Sequence, residues 1–86
     1  MPEVSRFFGI IIALYYNDHS PPHFHAKYGG QEASIHIETG KILDGSLGKR
    51  ALRLIEEWRA LHERELMDDW NLARARDPLN KIKPLE

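Results

Sequence analysis

The sequence predicts an α+β fold: a three- to four-stranded antiparallel β-meander followed by two C-terminal helices packed on one of its faces. Three observations predict it. Residues 1–45 are rich in β-branched and aromatic residues, punctuated by proline and glycine pairs. Through 46–77 the apolar residues recur at helical spacing. Residues 78–86 hold Pro84 and no periodicity, and read as an extended tail after Asp77-Pro78. At 86 residues the chain has room for one core, hence a single domain over 1–86.

Taken in order, residues 7–16 (FFGIIIALYY) predict a first strand that is apolar on both sides. Phe8, Ile10, Ile12 and Leu14 point one way, and Phe7, Ile11, Ala13 and Tyr15 the other. The helices of a thin meander cover one face. The second apolar band is therefore expected to be buried by another copy or by a partner chain, giving a homodimer or heteromer. Residues 17–22 (NDHSPP) are a turn cluster that stops the strand. Residues 23–28 and 31–38 flank Gly29-Gly30, a strong two-residue hairpin signal. Thr39-Gly40 suggests another tight turn into a short strand at 41–43, and Asp44-Gly45 ends the sheet.

Ser46 is the expected N-cap of a helix running to about His62. Leu47, Ala51, Leu54, Ile55, Trp58 and Leu61 form its apolar stripe, with Arg53, Glu56, Glu57 and Arg59 on the solvent side. A second helical segment, 63–76, presents Leu66, Trp70 and Ala73. Both tryptophans read as core or interface anchors, and His62 as a partner for a helix C-terminal dipole.

Composition removes several classes of function. There is no cysteine, so disulfides and thiolate metal sites are out, and any metal would use histidine and carboxylate ligands. Formal net charge is −1 with both signs interspersed, which argues against binding duplex nucleic acid by bulk charge. The N-terminal segment lacks a basic n-region, and the apolar run is too short to span a bilayer as a helix. A cytoplasmic protein without a membrane segment is expected.

The hairpin register is the most informative inference. Pairing outward from Gly29-Gly30 sets Tyr28 opposite Gln31, Lys27 opposite Glu32, Ala26 opposite Ala33, His25 opposite Ser34, Phe24 opposite Ile35 and His23 opposite His36. Side chains alternate faces. Phe24, Ala26, Tyr28, Ala33, Ile35 and Ile37 then face the core, and His23, His25, Lys27, Glu32, Ser34, His36 and Glu38 form a polar face. The pairs carrying histidine are non-hydrogen-bonded ones, where Cα atoms approach to ~4.5 Å. His23, His25 and His36 are expected to form a triangle of imidazoles, with Asp18 and His19 in the preceding loop able to reach it.

Three readings of that face compete. It is a solvated or partner-contacting surface with a Lys27–Glu32 ion pair. Or His23, His25 and His36, with Asp18 or His19, hold Zn²⁺ or Ni²⁺, since His-x-His plus a cross-strand histidine supplies three nitrogen donors. Or two of the histidines work as general acid and base on RNA while Lys27 or Arg6 steadies the phosphate, as in small metal-independent ribonucleases.

SRFFG at 5–9, DHSPPHFH at 18–25, IETG at 37–40 and ALRLIEEW at 51–58 together make the chain resemble a prokaryotic domain-of-unknown-function family, DUF4160. The resemblance runs through Trp70 and Leu72-Ala73 to the Pro-Leu end, and the proline-flanked histidine box is its most specific part. It implies context rather than chemistry: such genes look like partners of a second small family, DUF2442, in toxin–antitoxin-like two-gene units. The expectation is therefore a component of such a module, contacting or cleaving RNA at its histidine face, with a non-enzymatic metal- or partner-binding module as the alternative.

Overall fold

The computed structural model describes residues 2–86. Five strands form one open antiparallel sheet in sequence order: β1 (Glu3–Phe7), β2 (Ile10–Ala13), β3 (His23–Tyr28), β4 (Gln31–His36) and β5 (Ile42–Gly45), followed by one helix, α1 (Lys49–Arg74). The α+β class and the meander are as expected. The strand number and the helix differ, and each difference has a local cause.

The predicted first strand is a hairpin. Its chain reverses at Phe8–Gly9, which sit at φ 51° and 82°, and Phe7↔Ile10 and Arg6↔Ile11 pair across the turn. Positive φ at both central residues is the two-residue turn whose twist suits a hairpin. Gly9 adopts it freely, but phenylalanine in the first position hid the turn inside an apolar run. The reversal redistributes the expected band. Phe7, Ile10, Ile12 and Ala13 are buried, Ile11 and Tyr15 are half-buried, and Phe8 is left 52% exposed at the tip.

The β3–β4 hairpin carries the six cross-strand pairs expected of it, from Tyr28↔Gln31 out to His23↔His36. On β5, Asp44 opposes Ser34 and Ile42 opposes Ile35, so Leu43 is an extra residue that bulges the edge strand. Gly45 ends it at φ 77°, where a Cβ would strike the Glu32 carbonyl.

The helix starts later than predicted. Gly48, not Ser46, is its N-cap, because the Ser46 amide donates to the Glu32 carbonyl and keeps that residue in the sheet's ladder. The two predicted helices run as one, kinked where they were expected to part: His62 has φ −125° and ψ 23°. His62 is thus mid-helix rather than at a C-terminus, its ring on Trp58 and its Nδ1 2.6 Å from Glu65 Oε1.

The core lies between α1 and one sheet face. Trp58 is fully buried against Phe7 and Phe24, a burial that contributes on the order of 3 kcal/mol. Two assignments to the helix faces change. Leu61, six residues on from Ile55, turns away from the sheet and is 68% exposed. Arg59, expected in solvent, is 8% exposed. Its guanidinium donates to the Ile37 carbonyl at 2.7 Å and to Glu56 at 2.6 and 3.0 Å, which ties the helix to the end of β4. The tail then returns along β1: the Ile82 amide donates to the Val4 carbonyl, Lys81 Nζ to the Glu3 carbonyl and Trp58 Nε1 to the Lys83 carbonyl.

Candidate metal centre

Period-two alternation carries the polar face across all five strands. Arg6, Ile11, Lys27 and Glu32 share one row, and Glu3, Ala13, His25, Ser34 and Asp44 the next. His23 lies one pleat beyond, opposite His36. The loop between β2 and β3 folds back over this end. Tyr15 sets its ring 4.2 Å from that of His25, and Arg74 and Arg76 of the helix end hold the loop through Ser20 and Asn17.

Asp18 of that loop is the hub. Its Oδ2 lies 2.8 Å from His25 Nε2 and 3.2 Å from His23 Nε2. The His25 and His23 imidazoles are only 11% and 12% exposed, and the carboxylate 23%. The far nitrogens are held as well. His23 Nδ1 is 2.7 Å from the Pro21 carbonyl; a carbonyl only accepts, so Nδ1 carries a proton and, in the neutral ring, Nε2 carries the lone pair. His25 Nδ1 lies 3.2 Å from Glu32 Oε2, which only accepts and favours a proton on Nδ1, and 3.3 Å from Ser34 Oγ, whose hydroxyl serves either tautomer. In neutral rings with the proton on Nδ1, both lone pairs would face a carboxylate oxygen. That arrangement is relieved by a proton on Nε2 or by a cation shared among the three groups.

The donor atoms of Asp18, His23 and His25 all lie within 4.8 Å of one another. A tetrahedral Zn²⁺ with ligands at ~2.0–2.1 Å separates them by about 3.3 Å, near the 3.2 and 2.8 Å between the carboxylate oxygen and the two nitrogens. Two histidines and one carboxylate, with the remaining positions open, is a set used by Zn²⁺ and other first-row divalent ions, and imidazole suits Ni²⁺ equally. A far nitrogen held by a carbonyl or carboxylate is the outer-shell arrangement that orients metal-ligating histidine.

The other sequence candidates fall elsewhere. His36 stands opposite His23 in the backbone, but its Nδ1 accepts the Glu38 and Thr39 amides at 3.1 and 3.3 Å. The proton of its neutral ring is then on Nε2, so this histidine serves the turn into β5 and offers no lone pair to the cluster. His19 is exposed in the loop. Lys27 Nζ is 3.9 Å from Glu32, the expected ion pair, and 6.0 Å from the Tyr15 ring centroid. Arg6 is bound by Glu3 at 2.8 and 3.1 Å, and that pairing raises the guanidinium pKa and lowers the carboxyl's.

Sequence reasoning missed three contributors. Glu32 is the diagonal cross-strand neighbour of His25, a relation the register already contains. The Pro21 carbonyl and Trp70, whose ring centroid is 5.3 Å from that of His23, are positioned by the loop and the helix and left no signal in the pattern.

The fold and cluster define a small α+β protein: an open five-stranded meander backed by one kinked helix, with a histidine–carboxylate site under its longest loop. Residues 9–71 match the family model described as Domain of unknown function (DUF4160), and the chain belongs to that family. The match spans all three cluster residues. No curated protein and no solved structure matches the chain. Among the described residues, no helix is long and apolar enough to cross a membrane.

Proposed function

We propose that this protein is a divalent-cation-binding module of a toxin–antitoxin-like two-gene unit, with Asp18, His23 and His25 as the metal ligands. The observation that carries the metal reading is the convergence of two imidazole Nε2 atoms on one carboxylate oxygen, at 2.8 and 3.2 Å, with both Nδ1 atoms held from behind. The two-gene context rests on what the family resemblance implies.

Metal-stripped protein titrated with ZnCl₂ or NiCl₂ tests the site. Trp70, beside His23, supplies a fluorescence readout. The expected result is one equivalent bound, with affinity falling as pH is lowered because the ligand nitrogens must shed protons. At a free metal concentration 100 times Kd, binding to the folded state alone adds ~2.7 kcal/mol of stability. Asp18→Asn, His23→Ala and His25→Ala should each abolish that gain while His36→Ala retains it. No saturable change, or equal binding by the Asp18→Asn/His25→Ala variant, would end this reading.

RNA cleavage is the second reading, favoured by Arg6 and Lys27 standing in the row beside the cluster on the same face. Against a metal-free acid–base version, a carboxylate lies between the imidazoles, where a phosphate would have to sit. Cleavage that survives EDTA and disappears in His25→Gln would restore the metal-free version. Growth arrest on expressing the chain alone, relieved by its gene neighbour, tests the two-gene assignment.

A further inference from the structure

The two edges of the sheet are finished differently. Along β1 the chain's own tail is laid down through the Ile82 and Lys81 contacts. At β5 all four residues are exposed, with Ile42 and Leu43 each at 44%. Between β5 and the first turns of α1 lies an open groove of about 200 Å³ lined by Ile35, Gly40, Ile42, Leu52, Ile55 and Glu56. The bulge at Leu43 distorts the edge and so disfavours the addition of a sixth strand. Side chains can enter the groove without such pairing.

The helix places two exposed cations beside this groove. Lys49 and Arg53 stand one turn apart on α1, both exposed, each three residues before a lining residue of the groove, Leu52 and Glu56. The first turn of α1 holds no acidic residue, so cations crowd the positive end of the helix dipole, where they are unfavourable in the isolated chain. Glu56 is occupied by Arg59, and Asp44 pairs with Ser34 on the other face of the sheet. An apolar slot flanked by two exposed cations, one of them at the positive end of its own helix, is complementary to an acidic segment bearing an apolar anchor.

We infer that the β5–α1 groove is a docking site for an acidic, apolar-anchored segment of a partner protein: the anchor fills the slot against Ile42, Leu52 and Ile55, and the carboxylates meet Lys49 and Arg53. The site lies apart from Asp18, His23 and His25 and does not depend on the metal reading.

The test uses the full chain and a short fluorescein-labelled peptide of glutamates flanking paired leucines. Its controls are the same peptide with lysine for glutamate, the same with serine for leucine, and a single-stranded RNA oligonucleotide. Saturable, salt-sensitive binding of the acidic peptide is expected, with chemical-shift changes confined to β5 and the first turns of α1. Lys49→Glu/Arg53→Glu should weaken binding roughly tenfold or more. Lys49→Glu places an acid at the helix's positive end, which favours the fold, so loss of binding by the pair would not reflect unfolding. Ile42→Ser, at an exposed position, should weaken it independently. Equal binding of the serine or lysine peptide, preference for the RNA, or occupation of the groove by a second copy in sedimentation would each overturn the proposal.

Discussion

Replacing Arg59 with methionine isolates the contact that ties α1 to the sheet. Methionine keeps an unbranched stem in the same channel, so the change removes the guanidinium with little loss of packing. The buried bond to the Ile37 carbonyl at 2.7 Å then goes unmade. A buried carbonyl left without a donor costs ~1–3 kcal/mol. The bidentate pair with Glu56 is lost too, but that carboxylate is 52% exposed and returns to water, so its loss adds only ~0.2–1 kcal/mol. The sum is roughly 1–4 kcal/mol, and a domain of this size loses about 4–8 °C of Tm per kcal/mol. Urea denaturation and thermal melting should therefore both show a clear loss in Arg59→Met, whereas Glu56→Gln should cost under about 1 kcal/mol. If the two variants lose equally, the ion pair rather than the carbonyl bond holds the helix, and the reasoning is wrong.

Two further predictions concern single residues. Asp69 is fully buried, with Oδ1 accepting the Asn80 amide at 2.9 Å and Oδ2 without a hydrogen-bond partner among the described residues. Burial raises its carboxyl above the usual value, and the Asn80 hydrogen bond only partly offsets this. The folded chain thus holds this proton more tightly than the unfolded one. The stabilising contribution is complete below the ordinary value of 3.8 and is lost as pH rises through the raised one. Asp69→Asn should therefore gain on the wild type as pH rises from the acid side toward neutral, and parallel stability curves would contradict this. Phe8 spends a left-handed conformation, φ 51°, on a half-exposed side chain. Phe8→Asn suits that turn position and should stabilise the protein by ~1 kcal/mol in urea denaturation; a lower urea midpoint would show that the ring's packing outweighs the strain.

Local rules reached as far as local physics does. Gly29-Gly30 makes a two-residue turn, and that loop length sets the β3–β4 register, the division of the hairpin into core and polar faces, and the alignment of His23 with His36. The apolar periodicity of 47–73 was enough to place the helical half. The same rules failed at Phe8–Gly9, because the reversal needs a backbone conformation that phenylalanine disfavours. They failed at Arg59, because helical spacing reports position on the wheel and not what lies opposite it: here a strand-end carbonyl in need of a donor. They could not decide which groups join His23 and His25. Asp18 arrives there through the fold of a nine-residue loop, residues 14–22, held by Arg74 and Arg76 from the far end of the helix. His36 turns away because two backbone amides of the next turn claim its lone pair. Sequence alone determined which histidines share a face; contacts between residues distant along the chain decided which of them meet a carboxylate, since a side chain's partner is set by every element that packs around it.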